Sequence, residues 1–303
     1  MMLANAQTAL VLAGSLALGL GLTGCDDSEG SPSSLVGQPR ILAVQAEPPV
    51  IDLSGESALV PLIAGADENA IELSLRACDP WRVISDPTAD CGPADSLPLE
   101  RDTFAGGEGA WLRADDVLQA FPPPDWVFQQ LTDDRSQLQR GDKGGDTECG
   151  DSYESVAIPV VIEANIAGMT RLLATKRVRV TVEPVVRTNP VIADVLLDGQ
   201  PAPLEVQPAT TYDLVAAPRQ DSLDLLCSPD GVPIPESVRV YLYTSDGVLA
   251  EPYIDVEYTA EGQEQADVTT WTSPDQGDAS LWLVAIDGDG GTGWLRVDLP
   301  VLP

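Results

Sequence analysis

Apolar and polar residues alternate with a period of two along most of this chain, which restricts it to β-strands that bury one face. In residues 71–77, isoleucine, leucine and alanine alternate with Glu72, Ser74 and Arg76, and residues 156–162 and 178–182 repeat the pattern. In residues 57–64, the apolar side chains at 58, 60, 62 and 64 share one face. Because no helix-period segment separates these strands as a crossover would, we predict antiparallel sheets.

The alternation starts again after a proline-bounded linker at residues 183–190. Further strands are predicted at residues 191–197, 211–216, 238–243, 254–258, 268–271, 281–286 and 294–299. The last two flank the loop DGDGGTG at residues 287–293, whose residues tolerate the positive φ of a hairpin turn. Two runs of about seven short strands predict an all-β chain of two tandem antiparallel β-sandwiches, at residues 39–186 and 187–303.

Residues 79–154 interrupt the first run, and we interpret them as a long, partly helical insertion. One helical pattern covers residues 114–120, and another follows three prolines at residues 122–124. Insertions of this length are functional or disordered, and the aromatic residues in this one favour order. We consider four of these as contacts for a partner, with a small local core as the alternative: Trp111, Phe121, Trp126 and Phe128.

The N-terminus carries an export signal. An apolar run at residues 9–22 ends in Leu22-Thr23-Gly24-Cys25 and is shorter than the ~20 residues of a membrane span. This segment resembles the lipobox of bacterial lipoproteins, although no Lys or Arg precedes Gly24. The resemblance implies that residues 1–24 are a removed signal peptide and that Cys25 carries palmitate-type acyl chains, which anchor stably when there are two or more. The polar residues 25–38 then predict a flexible tether.

The C-terminal segment SLWLVAIDGDGGTGWLRVDLPV resembles the final hairpin of immunoglobulin-like domains of the PKD or fibronectin type III kind. Together with the lipobox, it makes the chain similar to Gram-negative lipoproteins that carry such modules. The resemblance implies immunoglobulin-like sandwiches and a place in the cell envelope. We expect the outer membrane, at its periplasmic or surface face, over the inner membrane.

Four cysteines follow Cys25, and an even number in an exported chain predicts disulfides. Three pairings are possible. Because short loops close most readily, we favour Cys78 with Cys91, which leaves Cys149 with Cys227.

Charge and composition exclude several function classes. The chain has 48 acidic and 16 basic residues, a net charge of -32, so it repels nucleic acid. It has no histidine, which removes Ser-His-Asp and Cys-His catalysis and most zinc sites. We therefore predict a non-catalytic, lipid-anchored module that binds an envelope protein or polysaccharide. A carboxylate-based hydrolase or carbohydrate-active lipoprotein is the alternative.

The loop at residues 287–293 is a candidate for weak calcium binding through Asp287 and Asp289. It lacks the bidentate glutamate of an EF-hand, so a plain hairpin turn is the favoured interpretation. We expect no other cofactor.

Overall fold

The computed structural model describes residues 34–66, 71–85, 91–124, 155–166, 171–182, 184–202, 205–227, 233–259 and 264–302. The described chain is all-β with two short α-helices, α1 (Pro80–Ser85) and α2 (Ala114–Ala120). Its first half contains β1 (Arg40–Glu47), β2 (Val50–Asp52), β3 (Glu56–Ala64), β4 (Ile71–Cys78), β5 (Ser96–Pro98), β6 (Glu100–Phe104), β7 (Gly107–Arg113), β8 (Ser155–Ile166) and β9 (Leu172–Thr181).

The second half begins after the linker. It contains β10 (Ile192–Leu197), β11 (Gln200–Pro201), β12 (Thr211–Pro218), β13 (Leu225–Cys227), β14 (Pro233–Pro235), β15 (Val238–Thr244), β16 (Val248–Leu249), β17 (Tyr253–Tyr258), β18 (Glu264–Ala266), β19 (Thr269–Thr272), β20 (Asp278–Asp287) and β21 (Thr292–Pro300).

The first sandwich packs a sheet of order β1-β3-β7-β6 against a sheet of order β2-β9-β8-β4-β5. Their facing sides share one core, in which Leu59, Leu112, Ile158 and Ile162 are fully buried. This is the immunoglobulin-like strand order, with strands A, B, E and D in one sheet and G, F and C in the other. The predicted alternation of β4, β8 and β9 is confirmed, because its apolar side chains point into this core.

The second sandwich repeats the arrangement with sheets β11-β10-β12-β19-β16 and β18-β17-β15-β20-β21. Trp271 is completely buried at the centre of its core, together with Leu214, Leu242 and Ile254. The predicted final hairpin is confirmed as β20 and β21, which pair from Asp278–Pro300 to Ile286–Thr292. A separate two-stranded hairpin, β13 and β14, lies beside these sheets.

The prediction of an insertion over residues 79–154 is wrong for its first part. Strands β5, β6 and β7 fall inside this range and occupy regular places in the two sheets. Ala110 and Leu112 of β7 are completely buried in the first core. The predicted helix at residues 114–120 is confirmed as α2. The second predicted helix, with Trp126 and Phe128, lies outside the described residues.

One strand pair is parallel, which the antiparallel prediction did not include. After β1 the chain passes a cis peptide bond at Glu47–Pro48 and changes sheet. β2 then runs parallel to β9, with Ile51 opposite Val180. Every other pairing between the named strands of the described chain is antiparallel.

The outer face of β1 and β3 is covered by the second sandwich. Leu42 and Ala64 of the first sandwich form an apolar cluster with Tyr243, Trp282 and Val284 of the second. The side chains of residues 58, 60, 62 and 64 therefore point away from the first core. Leu59, whose side chain lies on the other face of β3, packs into that core. Both faces of β3 are buried, so a half-buried strand is the wrong description.

The tether predicted for residues 25–38 ends earlier than expected. The Thr244 N–H donates to the Ser34 carbonyl, and the Val36 N–H donates to the Thr244 carbonyl, both at 2.7 Å. The Val36 side chain is only 6% exposed because it joins the cluster between the two sandwiches. Residues 34–36 are thus part of the folded body.

The structure contains the Cys78–Cys91 disulfide, which confirms the favoured pairing. Cys149 lies outside the described residues, so the Cys149–Cys227 bridge stays a prediction. No helix in the described part of the chain is long and apolar enough to cross a membrane.

Candidate functional site

An open groove lies at the edge of the first sandwich where the chain passes from one sheet to the other. We call it the Trp111 groove. It has a volume of about 380 Å³ and lies between β5, β6, β7 and α2. It is lined by Leu97, Pro98, Leu99, Glu100, Trp111, Arg113, Asp116, Gln119 and Ala120. This size is at the lower end of the ~300–1,000 Å³ typical of ligand sites.

Trp111 is fixed at this groove by its place in the sheet. Its neighbours Ala110 and Leu112 are completely buried in the core, so the intervening side chain lies on the outer face. The Trp111 Nε1–H donates to Asp102 Oδ2 at 3.0 Å. The Phe104 ring meets the indole edge-on at 5.0 Å between centroids. These contacts hold the partly buried indole in one orientation before any ligand arrives.

Gly109 makes room for this aromatic pair. A Cβ at residue 109 would overlap the carbonyl oxygen of Leu59 and lie 3.0 Å from the Phe104 ring. The missing side chain lets the Phe104 ring lie against the β7 backbone, beside the indole.

The charges around Trp111 are mostly carboxylates. Arg113 donates to Glu56 at 3.2 Å and to Glu100 at 3.0 Å, and these hydrogen bonds raise its pKa. The Thr103 N–H and the Trp111 indole hydrogen-bond to Asp102 and lower its pKa. Asp102 is therefore ionised at neutral pH, and Asp116 adds a further exposed carboxylate. The lining of the groove thus combines the indole and apolar side chains with the carboxylates of Glu100 and Asp116 and the guanidinium of Arg113.

The Trp111 groove lies at the opposite end of β3 from the pairing of Arg40. Residue Arg40 pairs with Ala64, and Trp111 pairs with Ala58. Ala58 and Ala64 are six positions apart on β3, which is about 20 Å along the strand.

A second cluster of charges joins the two sandwiches, and we call it the carboxylate junction. It consists of Asp224, Glu236, Asp287 and Asp289 of the second sandwich with Lys176, Arg179 and Arg187. Asp289 accepts from Arg179 at 2.6 Å and forms an ion pair with Arg187 at 3.3 Å. The Lys176 ammonium donates to the Gly290 carbonyl at 2.7 Å and to the Thr292 hydroxyl at 2.8 Å.

Burial perturbs two acids in this junction. Glu236 is 2% exposed, and desolvation together with the nearby Asp287 carboxylate raises its pKa to about 8. Desolvation also raises the pKa of Asp287 to about 6, against the lowering effect of its bonds to the Gly291 and Asp289 N–H groups. Glu236 is therefore mostly protonated at neutral pH.

The structure places the predicted calcium residues in structural roles. Asp287 accepts from the backbone N–H groups of Asp289 and Gly291, which shapes the hairpin turn. Asp289 is engaged by two arginines. Among the described residues, no group of three or more His, Cys, Asp or Glu side chains is arranged to hold a metal ion. This geometry favours the plain hairpin turn.

The four predicted partner-binding aromatics separate into different environments. Trp111 lines the groove, whereas Phe121 packs against the first core. The Phe121 carbonyl also accepts from the Trp81 indole at 2.8 Å. Trp126 and Phe128 lie outside the described residues, so their role stays a prediction.

Sequence reasoning missed Glu100 and Asp116 at the groove, because acidic residues are too common in this chain to single out any pair. It also missed the carboxylate junction. One signal was present: Lys176 has the same strand parity as the buried Val178 and Val180.

No family model and no curated protein matches this chain. Among solved structures, it is similar to the fibronectin(III)-like modules of Clostridium thermocellum CbhA, at 11% identity and a TM-score of 0.22, over 86% of this chain and 94% of that one. It is also similar to the Yersinia pseudotuberculosis adhesin InvE, at 12% identity and a TM-score of 0.20, over 85% of this chain and 58% of that one.

A third similarity is to red sea bream transglutaminase, at 10% identity and a TM-score of 0.25, over 82% of this chain and 30% of that one. Scores this low carry no argument about function, and the fold assignment rests on the sheets of the chain itself.

Proposed function

We propose that this protein is a lipid-anchored, non-catalytic binding module of the cell envelope. The observation that carries the proposal is the open Trp111 groove, at the opposite end of β3 from the Arg40 pairing and about 20 Å from it. An open groove of this kind can be reached by a partner in the envelope space.

The anchor rests on the lipobox-like segment before Cys25. Ser34, which is docked on the second sandwich, is nine positions after Cys25 in the chain. Nine residues reach at most about 30 Å when fully extended, so lipidation at Cys25 would keep the folded body close to the membrane.

Its non-catalytic character is supported by the contacts of the perturbed carboxyl groups. Glu236 is nearly inaccessible and accepts from the Asp224 backbone N–H at 3.2 Å. Asp287 is bound by backbone N–H groups of its own loop. A glycosidase needs two carboxyl groups that face a substrate between them, and these two face the protein interior.

The hydrolase remains the second candidate because the raised pKa of Glu236 is typical of a general acid. The experiment compares the full parent chain with Cys25→Ala and with Glu236→Gln, each purified from detergent-solubilised envelopes. We expect palmitate labelling only when Cys25 is present, and a stoichiometric co-purifying partner with both parent and Glu236→Gln. Release of soluble sugar from envelope polysaccharide by the parent, lost in Glu236→Gln, would instead establish the hydrolase.

A further inference from the structure

The outer face of the sheet that carries Trp111 is divided into a covered part and an open part. The second sandwich covers β1 and β3 through the apolar cluster of Leu42, Ala64 and Trp282. The turn between β6 and β7 marks the boundary, because a Cβ at Gly106 would lie 3.6 Å from the Trp294 ring. Beyond this turn, β6 is exposed along most of its length, and the Trp111 groove opens between β6, β7 and α2.

This open face displays one aromatic ring among carboxylates. Glu100 and Asp102 share the outer face with Trp111, because Glu100 pairs directly with Trp111. Glu56 and Asp116 add two more carboxylates, and Arg113 is the one guanidinium among the groove-lining residues. Four carboxylates against one guanidinium leave a net negative face, and Arg113 already binds Glu56 and Glu100.

We propose that the Trp111 groove binds a lysine- or arginine-rich segment of a protein partner. This proposal rests on the function proposed above and names the kind of partner that the groove binds. Charge complementarity selects this occupant: the local carboxylates and the net charge of -32 attract cations and repel acidic chains. In this proposal an ammonium or guanidinium group packs on the half-buried indole that lines the groove, and Glu100 and Asp116 pair with flanking charges.

The edge strand β6 strengthens this assignment for an extended segment. β6 is the last strand of its sheet and is exposed along most of its length. Its carboxylates at residues 100 and 102 repeat every second residue on one face. An extended peptide alternates its side chains with the same period, so basic residues at every second position meet these carboxylates in register.

The test uses the full chain in detergent and a short fluorescein-labelled peptide of alternating lysine and serine, with affinity measured by fluorescence anisotropy. A peptide with glutamine in place of lysine and a soluble neutral β-glucan oligosaccharide are the comparison probes. We expect the lysine peptide to bind, more weakly as salt increases, and both neutral probes to bind poorly.

Two groups of variants locate the binding. We expect Trp111→Ala to weaken binding of the lysine peptide roughly threefold to fivefold. Glu100→Gln with Asp116→Asn should weaken it and flatten the salt dependence. The matched control, Asp194→Asn with Glu257→Gln, removes the same charge from exposed positions on the second sandwich. It should leave the affinity nearly unchanged, because charges beyond ~8 Å are screened at physiological salt.

Circular dichroism checks that each variant is folded. If Trp111→Ala is unstable, the double variant Glu100→Gln with Asp116→Asn still tests the proposal. The proposal would be overturned if Glu100→Gln with Asp116→Asn and Asp194→Asn with Glu257→Gln weakened binding of the lysine peptide equally. Binding would then depend on net charge alone. Trp111-dependent binding of the glucan without binding of the lysine peptide would also overturn it, in favour of a carbohydrate site. Neither result would contradict the proposed envelope module, because its partner is identified separately, by co-purification from detergent-solubilised envelopes.

Discussion

At the scale of single residues, Glu236 shows how burial determines the behaviour of an acid. Burial away from water, together with the nearby carboxylates of Asp287, Asp224 and Asp289, favours its neutral form in the folded protein. Its pKa is about 8 when folded and 4.5 in the reference state, so the folded protein binds the proton more tightly than the unfolded chain. The contribution of Glu236 to stability is fully present below about pH 4.5 and is lost as the pH rises through about 8.

We therefore predict that Glu236→Gln reduces the loss of stability between about pH 4.5 and pH 8, the range in which the unfolded chain has released this proton and the folded protein still holds it. A neutral amide fills the same space and cannot ionise beside Asp287. The measurement is the melting temperature of parent and variant across this range, with the exposed Glu257→Gln as a control. Parallel pH profiles for the parent and Glu236→Gln would show that Glu236 does not titrate as described.

At the scale of elements, the hairpin of β6 and β7 forms the floor of the Trp111 groove, and Gly109 is its tightest point. We predict that Gly109→Ala destabilises the protein by about 1–3 kcal/mol, because the added methyl meets the Leu59 carbonyl oxygen, which cannot move without breaking the sheet. Gly37→Ala is the control, since a Cβ there has no heavy atom within 4 Å. Urea denaturation measures both, and equal stability of the two variants would contradict the described packing.

The same hairpin shows what the sequence could not predict. Strands such as β4 and β8 bury one face in a core, so hydrophobic alternation identifies them. β6 is an exposed edge strand with the sequence ERDTF, and β7 begins with GEG, so neither has enough apolar positions to show the period. The sequence predicted the Cys78–Cys91 bridge, which the structure contains, and it singled out Trp111, whose partner-binding role stays a prediction. The acidic partners of Trp111 depend on pairing between β6 and β7, which no local pattern shows.

At the scale of the whole molecule, the two sandwiches are joined by an apolar cluster and by the carboxylate junction. Val284 lies in the cluster and is 1% exposed, whereas Val268 is 60% exposed. We predict that Val284→Asp separates the sandwiches, because an unpaired carboxylate in an apolar contact is costly. Small-angle scattering should show a larger radius of gyration for Val284→Asp and no change for Val268→Asp. Identical scattering from all three proteins would contradict a coupled pair.

In the proposed function, the Trp111 groove is the face through which this protein binds its partner. Site-specific photo-crosslinking in living cells tests it most directly, with the crosslinker at Gln119 in the groove or at Glu257 on the second sandwich. Both positions are exposed, so both report on whatever lies beside them. We predict a discrete protein adduct from position 119, lost when Trp111 is also changed to Ala, and none from position 257. Adducts from position 257 alone, or adducts from position 119 that persist without Trp111, would contradict the account.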